Sequence, residues 1–275
     1  MASTRVPGIS KLVLERVRVF RERTEIQLGK LTLLAGANSS GKSTAMLGAL
    51  LLKQTLDAPF DPGPLLLRNG HVELTSFDQL RTRDTTAPVV IGLVTTDGMR
   101  FEASFDRTAA GDLEVVQNVS RGSKGRTAVV RRGGTTRGRP VARVRFFLGG
   151  DMPRAEQIAL PESAARASDA LVHILHVPGL RTPPQRDYIL TAVGDTFDGR
   201  FDRYVAAIVL EWQRTKDERL SAIGAELRAL GLTWKVEAQR VSDTSVTLRV
   251  GRLRDARQGG AKDLVDIADV GVGVS

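Results

Sequence analysis

The stretch that decides the fold is LTLLAGANSSGKSTAMLGALLL, residues 31–52. It contains G-x-x-x-x-G-K-S at 36–43, the spacing of a phosphate-binding P-loop. The apolar run Leu31–Leu34 predicts a short buried strand before the loop, and the periodicity of Lys42–Leu56 predicts a helix after it. Strand, loop and helix in this order form the context in which the motif holds a nucleotide.

The residue types of the loop suit an anion. Glycine lets backbone N–H groups converge on phosphate oxygens, and the helix N-terminus adds a favourable dipole. Lys42 is expected to reach the β- and γ-phosphates and is the catalytic candidate, whereas Ser43 is expected to ligate Mg²⁺. The predicted nucleotide-binding residues are Gly36, Ala37, Asn38, Ser39, Ser40, Gly41, Lys42, Ser43 and Thr44.

Composition excludes several classes of protein. The 275 residues leave one or two domains open. No apolar run approaches the ~18 residues that span a bilayer, and charges interrupt the first 20 residues where a signal peptide would be apolar. The lack of cysteine excludes disulfides, cysteine-ligated zinc, iron–sulfur clusters and thiol catalysis. We therefore expect a cytoplasmic protein without a membrane anchor.

The net charge of +9 comes from one window, because no acid lies between Val115 and Gly150. Its basic residues favour DNA as a partner, while a solvated, partly mobile loop explains the same composition. Only Phe146 and Phe147, at its end, are placed to stack on bases. The candidates for nucleic-acid contact are Arg121, Lys124, Arg126, Arg131, Arg132, Arg137 and Arg139, and the window also holds Arg143 and Arg145.

The pattern along the chain divides it into four segments. A P-loop core occupies 1–58, and a β-rich lobe with the basic insertion occupies 59–150. A helical segment follows at 151–231, and 232–275 forms a β-hairpin that leads into the closing motif.

Individual elements follow from alternation and turn residues. Strands are predicted as a hairpin within 11–28, a hairpin around Asp97-Gly98, strands at 113–119 and 142–148, and a hairpin within 232–251. Helices are predicted at 154–174, broken at Pro161, and at 201–230, capped by Gly231.

The loop GANSSGKST resembles that of ATPases related to the SMC, RecF and ABC heads, in particular the bacterial OLD (overcoming lysogenization defect) family. The stretches at 18–44, 60–80 and 176–188 are similar to successive blocks of that family. The resemblance implies an α/β fold, an ABC-type P-loop ATPase head with a mixed sheet, an antiparallel β-lobe and a helical segment. It also implies ATP with Mg²⁺, and contacts from Arg18 and Arg21 to the base or the α-phosphate.

The closing residues DLVDIADVGVGVS, 263–275, look like that family's ABC signature. In such heads the signature of one protomer contacts the γ-phosphate held by the other, which implies a homodimer or larger assembly around ATP. Gly271 and Gly273 permit close backbone approach and Ser275 offers a hydroxyl. A glycine-containing tail is the alternative interpretation.

Family members also carry a Walker B strand ending in Asp-Glu and a switch histidine, and neither is found in the sequence. Val90–Val94 leads into a turn, and Ile208–Glu211 lies in a helical pattern. We therefore expect a poor ATPase as an isolated chain, whose complete form gates an effector such as a nuclease in phage defence or DNA processing. The alternatives are a non-hydrolysing nucleotide-binding scaffold and a RecF-type DNA-repair ATPase.

Four further residues invite a functional interpretation. His173 and His176 lack a third ligand at suitable spacing, so we predict a structural role for them and no metal besides nucleotide-bound Mg²⁺. Arg181 and Arg186 approach a phosphate or an interface in one interpretation and brace a loop in the other.

Overall fold

The structure, a computed structural model, describes residues 6–136, 138–151, 158–177, 184–190, 201–252 and 263–270, with 151, 158–159 and 201–204 described by backbone alone. These residues form a mixed α/β protein with four α-helices and antiparallel sheets. The chain divides into two compact units, Met1–Ile174 and Leu175–Ser275, so the boundary falls inside the segment predicted to be helical. No helix among the described residues has the length and apolar character needed to cross a membrane.

A six-stranded antiparallel sheet forms the centre of the first unit. The predicted hairpins within 11–28 and around Asp97-Gly98 are confirmed, with Gly98 in the left-handed region at φ 83°. The strands lie in the order β2-β1-β3-β4-β5-β6. They are β1 Ile9–Glu15, β2 Thr24–Gln27, β3 Val89–Thr95, β4 Arg100–Arg107, β5 Leu113–Arg121 and β6 Thr127–Arg131.

Helices α1 (Lys42–Asp57) and α2 (Glu162–Val172) belong to the same unit and bury their apolar residues in the core that the sheet shares. The prediction of α1 is confirmed. A Cβ at Gly48 would lie 2.8 Å from both Ile91 and Leu14, so only glycine lets α1 pack this closely on β1 and β3. This close packing fixes the N-terminus of α1, where the P-loop ends.

The prediction of a buried strand at Leu31–Leu34 is wrong. Leu31 is 81% and Leu33 83% exposed, and the segment has no strand conformation. The chain leaves the sheet at Gly29, whose N–H donates to Thr32 Oγ1 at 2.9 Å, and no strand in the described part of the chain pairs with residues 30–35. Since all described strand pairs are antiparallel, the mixed sheet expected around the P-loop strand is not seen in them either.

The exposure of Leu33 gives a direct test. Leu33→Ala should change the free energy of unfolding by no more than about 0.5 kcal/mol, because an exposed side chain loses little by truncation. Leu93→Ala, a fully buried leucine in β3, should cost about 2–5 kcal/mol. Urea unfolding of the two variants makes the comparison. An equal loss for Leu33→Ala would show that Leu31–Leu34 is a buried strand after all.

A second, four-stranded sheet takes two strands and most of a third from the basic insertion and the fourth from the segment after it. The segment predicted as one strand at 142–148 is two, because Arg145 turns the chain at φ 52°. The Arg145 N–H donates to Asp61 Oδ2 at 3.2 Å and its guanidinium to the Ala58 carbonyl at 2.7 Å. The sheet order is β10-β9-β8-β7, with β7 Thr135–Thr136, β8 Arg139–Val144, β9 Phe147–Asp151 and β10 Ile158–Ala159. The insertion expected to be partly mobile contains strands β6, β7 and β8 among its described residues.

Both helix predictions in the later part of the chain need correction. Pro161 precedes α2, and Ile158–Ala159 before it is a strand rather than helix, while 152–157 lie outside the described residues. The predicted helix at 201–230 is two helices, α3 (Phe201–Thr215) and α4 (Glu218–Ala229). Lys216, at φ 55°, ends the first, and Asp217 caps the second. The predicted cap at Gly231 is confirmed by its φ of 76°.

The second unit is completed by short antiparallel strands around β13. They are β11 Tyr188–Ile189, β12 Val236–Arg240, β13 Ser245–Gly251 and β14 Leu264–Asp266. The hairpin predicted within 232–251 is confirmed as β12 and β13.

The cap of α4 predicts a pH dependence. Asp217 accepts from the Arg219 guanidinium at 2.6 Å and from its backbone N–H at 2.9 Å, which lowers the pKa of Asp217 from 3.8 to about 2. The carboxylate therefore stabilises the fold above pH 3.8, and this contribution disappears as the pH falls through 2. Because both tryptophans, Trp212 and Trp234, lie in this unit, their fluorescence reports its unfolding.

Asp217→Asn should lower the stability of this unit at pH 5, and the difference from the wild type should shrink below pH 4. In an Arg219→Gln background the pH-dependent part should be smaller, because the main cause of the low pKa is gone. A pH-independent difference would contradict the proposed role of the ion pair.

Candidate nucleotide site

The loop at 36–43 lies at the N-terminus of α1 and is exposed along most of its length. Gly41 precedes the helix at φ 97°, a conformation that glycine adopts without strain. A Cβ there would lie 2.6 Å from Val19 Cγ2, and one at Gly36 would lie 2.7 Å from Ser40 Oγ. Both glycines of the motif are thus required by backbone conformation or close approach.

Lys42 folds back over this loop. Its ammonium donates to the carbonyls of Gly36 at 2.8 Å and Ala37 at 2.6 Å, which leaves one of its three N–H donors unassigned. Ser43 is exposed, and Thr44 is buried in the first turn. The helix has no side-chain cap and no acid in its first turn, so its leading N–H groups remain available to an anion.

A tight turn at Val17–Phe20 touches the loop, since Val19 is the residue against which Gly41 packs. Arg18 in this turn has φ 49°, which is unusual for a residue with a side chain. The strain is held by Thr82, whose hydroxyl donates to the Arg18 carbonyl at 2.7 Å, and by the Arg18 N–H, which donates to the Leu80 carbonyl at 2.9 Å.

A cleft of about 850 Å³ opens beside this turn, and Val19 is part of its wall. One wall carries Arg18 and Arg21, the two residues expected to contact the base or the α-phosphate. The other wall is formed by 73–83, which includes the block LTSFDQL. No residue of the predicted loop lines this cleft, and the link between the two is Val19, which lines the cleft and also packs against Gly41.

The cleft has an excess of cations. Among its acids, Glu73 pairs with Arg68 and Asp78 pairs with Arg107. Arg18 donates from its Nε to the Gln79 carbonyl at 2.8 Å, and its terminal nitrogens have no partner among the residues that the structure describes. For Arg21, the one ion pair among the described residues is a 3.7 Å contact with the exposed Asp84.

Arg83, also in the wall, is a functional candidate that sequence reasoning missed. It is exposed, and no acid pairs with it in the described part of the chain. The available signal was its position three residues after LTSFDQL, a block singled out by the sequence analysis.

A charged network on the sheet anchors the segment after Arg21. Glu102, buried in β4, accepts from Arg23 and from Arg100, and Arg100 also donates to Glu25 at 2.5 Å. The hydrogen bond from Arg100 lowers the pKa of Glu25, and the one to Glu102 raises the pKa of Arg23. These charges therefore fix the turn that presents Arg18 and Arg21.

The structure gives other roles to the two sequence candidates for a Walker B strand. Val90–Val94 belongs to β3 and leads to Asp97, which is engaged by Thr95 Oγ1 and by Arg166 at 3.3 Å. Ile208–Glu211 lies in α3. Within the described ranges, no group of three or more histidines or acids is arranged to hold a metal ion.

The residues predicted to form a signature motif, Gly271, Gly273 and Ser275, lie outside the described residues, as do Arg181 and Arg137. The segment that leads to the signature is described, and its Asp269 pairs with Arg186 at 2.6 Å. Arg186 thus braces a loop, and this pairing raises its pKa.

Of the two histidines, His173 belongs to the first unit and His176 to the second. His173 follows α2, and its Nδ1 lies 2.7 Å from the Asp169 carbonyl, a local contact that gives it a structural role. His176 is partly buried and lies four residues beyond the end of α2.

The candidates for nucleic-acid contact differ in their surroundings in the folded chain. Arg131 donates to Gln117 Oε1 at 3.0 Å, and Arg132 pairs with Glu114. Arg139 starts β8. The remaining three, Arg121, Lys124 and Arg126, lie together at the turn between β5 and β6.

No protein-family model matches the chain, and no curated protein matches it.

Proposed function

We propose that this chain is the ATP-binding module of an OLD-like ATPase head, which pairs with a second head around ATP and thereby gates an effector. The observation that carries the proposal is the P-loop motif at the uncapped N-terminus of α1, with Lys42 folded over it. The resemblance of 18–44, 60–80 and 176–188 to the OLD family supports the choice of family. The cationic cleft that shares Val19 with the contact of Gly41 supports a nucleotide rather than a free phosphate, because it offers a second group of cations near the loop.

In this proposal each part of the site has a separate task. The N–H groups of the loop and of the first turn of α1 bind the phosphates, and Lys42 neutralises the β- and γ-phosphates. Ser43 ligates Mg²⁺ through its hydroxyl. Arg18, Arg21 and Arg83 line the cleft that takes the rest of the nucleotide, with their guanidinium groups near the α-phosphate or the base.

Hydrolysis needs groups that orient water and stabilise the developing charge. No described acid lies in the loop or in the first turn of α1. We propose that a strand carrying Asp-Glu joins the site from another segment or another polypeptide, and that the exposed Leu31–Leu34 then gains a neighbour. A non-hydrolysing scaffold is the second candidate, favoured by the same lack of an acid beside the loop.

An ATP turnover assay on this chain tests the hydrolysis part of the proposal. Phosphate release should be no faster than that of a Lys42→Ala variant prepared in parallel, because both lack a positioned general base. Turnover clearly above that background would contradict the assignment and would place the catalytic acid among the residues of this chain. Sedimentation with and without MgATP then tests pairing, which should depend on nucleotide.

A further inference from the structure

The fold assigns four charges of the basic window, those of Arg131, Arg132, Arg143 and Arg145, to structural partners. Arg143 donates to Asp61 at 3.1 Å, and Arg145 bonds the Ala58 carbonyl at 2.7 Å, so both fasten the connector after α1. Asp61 also accepts from the Gly63 N–H at 2.9 Å. Although burial opposes it, the sum of these bonds lowers the pKa of Asp61 and keeps it charged. These arginines are consequently occupied within the first unit.

Three cations are left at the tip of the β5–β6 hairpin. Arg121, Lys124 and Arg126 are all exposed, and no acid pairs with any of them in the part of the chain that the structure describes. The Gly122 N–H donates to the Arg126 carbonyl at 2.9 Å, and the Gly125 N–H donates to the Gly122 carbonyl at the same distance. The turn is therefore hydrogen-bonded, and it presents the three charges from a fixed base.

The arms of this hairpin extend the exposed face. Arg121 pairs with Thr127, and Gln117 pairs with Arg131, so these side chains share one face of the ribbon by the two-residue period of strands. Val129, on the same face, is 52% exposed, whereas Val130 on the opposite face is buried in the core. The ribbon thus has one core face and one free, cationic face.

We propose that this hairpin tip, Arg121–Thr127, binds the phosphate backbone of duplex DNA. Arginine, lysine, the hydroxyls of Ser123 and Thr127, and exposed glycine backbone are the groups that contact phosphates in protein–DNA complexes. A two-stranded β-ribbon fits the major groove of a duplex. The site does not depend on the P-loop, so it is separate from the proposed nucleotide function.

Single-stranded nucleic acid is a poorer fit, because its binding relies on aromatic side chains on which bases stack. Phe146 and Phe147, the aromatic residues of the window, are both buried. They pack against each other with ring centroids 4.4 Å apart and against Phe101. The contact is therefore with the backbone, and it carries no base sequence preference.

The expected salt dependence of DNA binding follows from counterion release. Three neutralised phosphates give a slope of about −2.7 in a plot of log affinity against log salt concentration. Affinity should accordingly fall about 40-fold between 50 and 200 mM NaCl. Loss of all three cations should remove most of this salt dependence.

Fluorescence anisotropy with a labelled 30-base-pair duplex tests the proposal on the whole chain in the absence of nucleotide. The test variant is Arg121→Gln/Lys124→Gln/Arg126→Gln, and the matched control is Arg214→Gln/Lys216→Gln/Arg252→Gln, which removes the same charge from exposed positions of the other unit. Far-UV circular dichroism verifies that both are folded. We expect at least a 10-fold loss of affinity at 100 mM NaCl for the test variant and less than a threefold loss for the control.

Three results would overturn the proposal. One is no binding of the duplex at 50 mM NaCl, and another is an equal loss of affinity in both variants. The third is equal or tighter binding of poly-glutamate or of phosphatidylserine vesicles through the same three residues, which would assign the tip to an acidic protein or a lipid surface. Because the assay contains no nucleotide, its failure leaves the ATP proposal to be judged by its own experiment.

Discussion

Replacing Lys42 with alanine is expected to weaken MgATP binding by about 100-fold. The ammonium already lies within hydrogen-bond distance of two loop carbonyls, at 2.8 and 2.6 Å, so it is at the point where the phosphates would enter. A hydrogen bond between charged groups contributes about 1.5–3 kcal/mol, and 2.7 kcal/mol corresponds to about 100-fold in affinity. Competition against a fluorescent ATP analogue measures the change.

Lys30→Ala is the matched control for this variant. Lys30 is an exposed lysine just before the loop, and it should be replaced with less than a twofold effect on affinity. Similar losses in both variants would mean that general positive charge, rather than Lys42 itself, binds the nucleotide. The thermal stability of both variants should match that of the wild type, because neither side chain is buried.

Asn118→Leu is expected to lower the free energy of unfolding by about 4 kcal/mol, because it leaves two buried backbone groups without a partner at about 1–3 kcal/mol each. Asn118 lies in β5 and is buried. Its amide N–H donates to the Phe146 carbonyl at 3.1 Å, and its Oδ1 accepts from the Leu148 N–H at 2.6 Å. These bonds hold the second sheet against the first, so urea unfolding should show a large shift in midpoint.

Gln117→Leu provides the comparison for this change. Gln117 is the neighbour of Asn118 on the same strand and bonds the exposed Arg131 instead of the core. Its replacement should cost no more than about 0.5 kcal/mol. If both substitutions have small effects, Asn118 does not join the two sheets as described.

The elements that sequence patterns predicted correctly are those determined by neighbouring residues. The hairpin around Asp97-Gly98 and helix α1 depend on turn residues and on periodicity within one segment. The break within 142–148 depends on Arg145, whose turn is held by Asp61, 84 residues earlier. Such a contact leaves no local pattern, so the two strands were predicted as one.

At Leu31–Leu34 the local pattern itself gave a wrong prediction. Its composition favours a buried strand, but a strand needs a hydrogen-bonding neighbour, and the described residues offer none there. At the candidate site the loop was predictable because 36–43 is one contiguous motif. Arg83 could not be predicted as part of the site, because it comes beside Arg18 and Arg21 only when residues some 60 positions apart fold together.

Isothermal titration calorimetry of the wild-type chain with MgATP decides whether residues 36–44 bind the nucleotide. We predict saturable binding at one site per chain, with the heat largely lost in Lys42→Ala and retained in Lys30→Ala. The absence of saturable binding at millimolar MgATP, from a chain shown to be folded by its circular dichroism, would mean that the P-loop motif does not hold ATP in this protein.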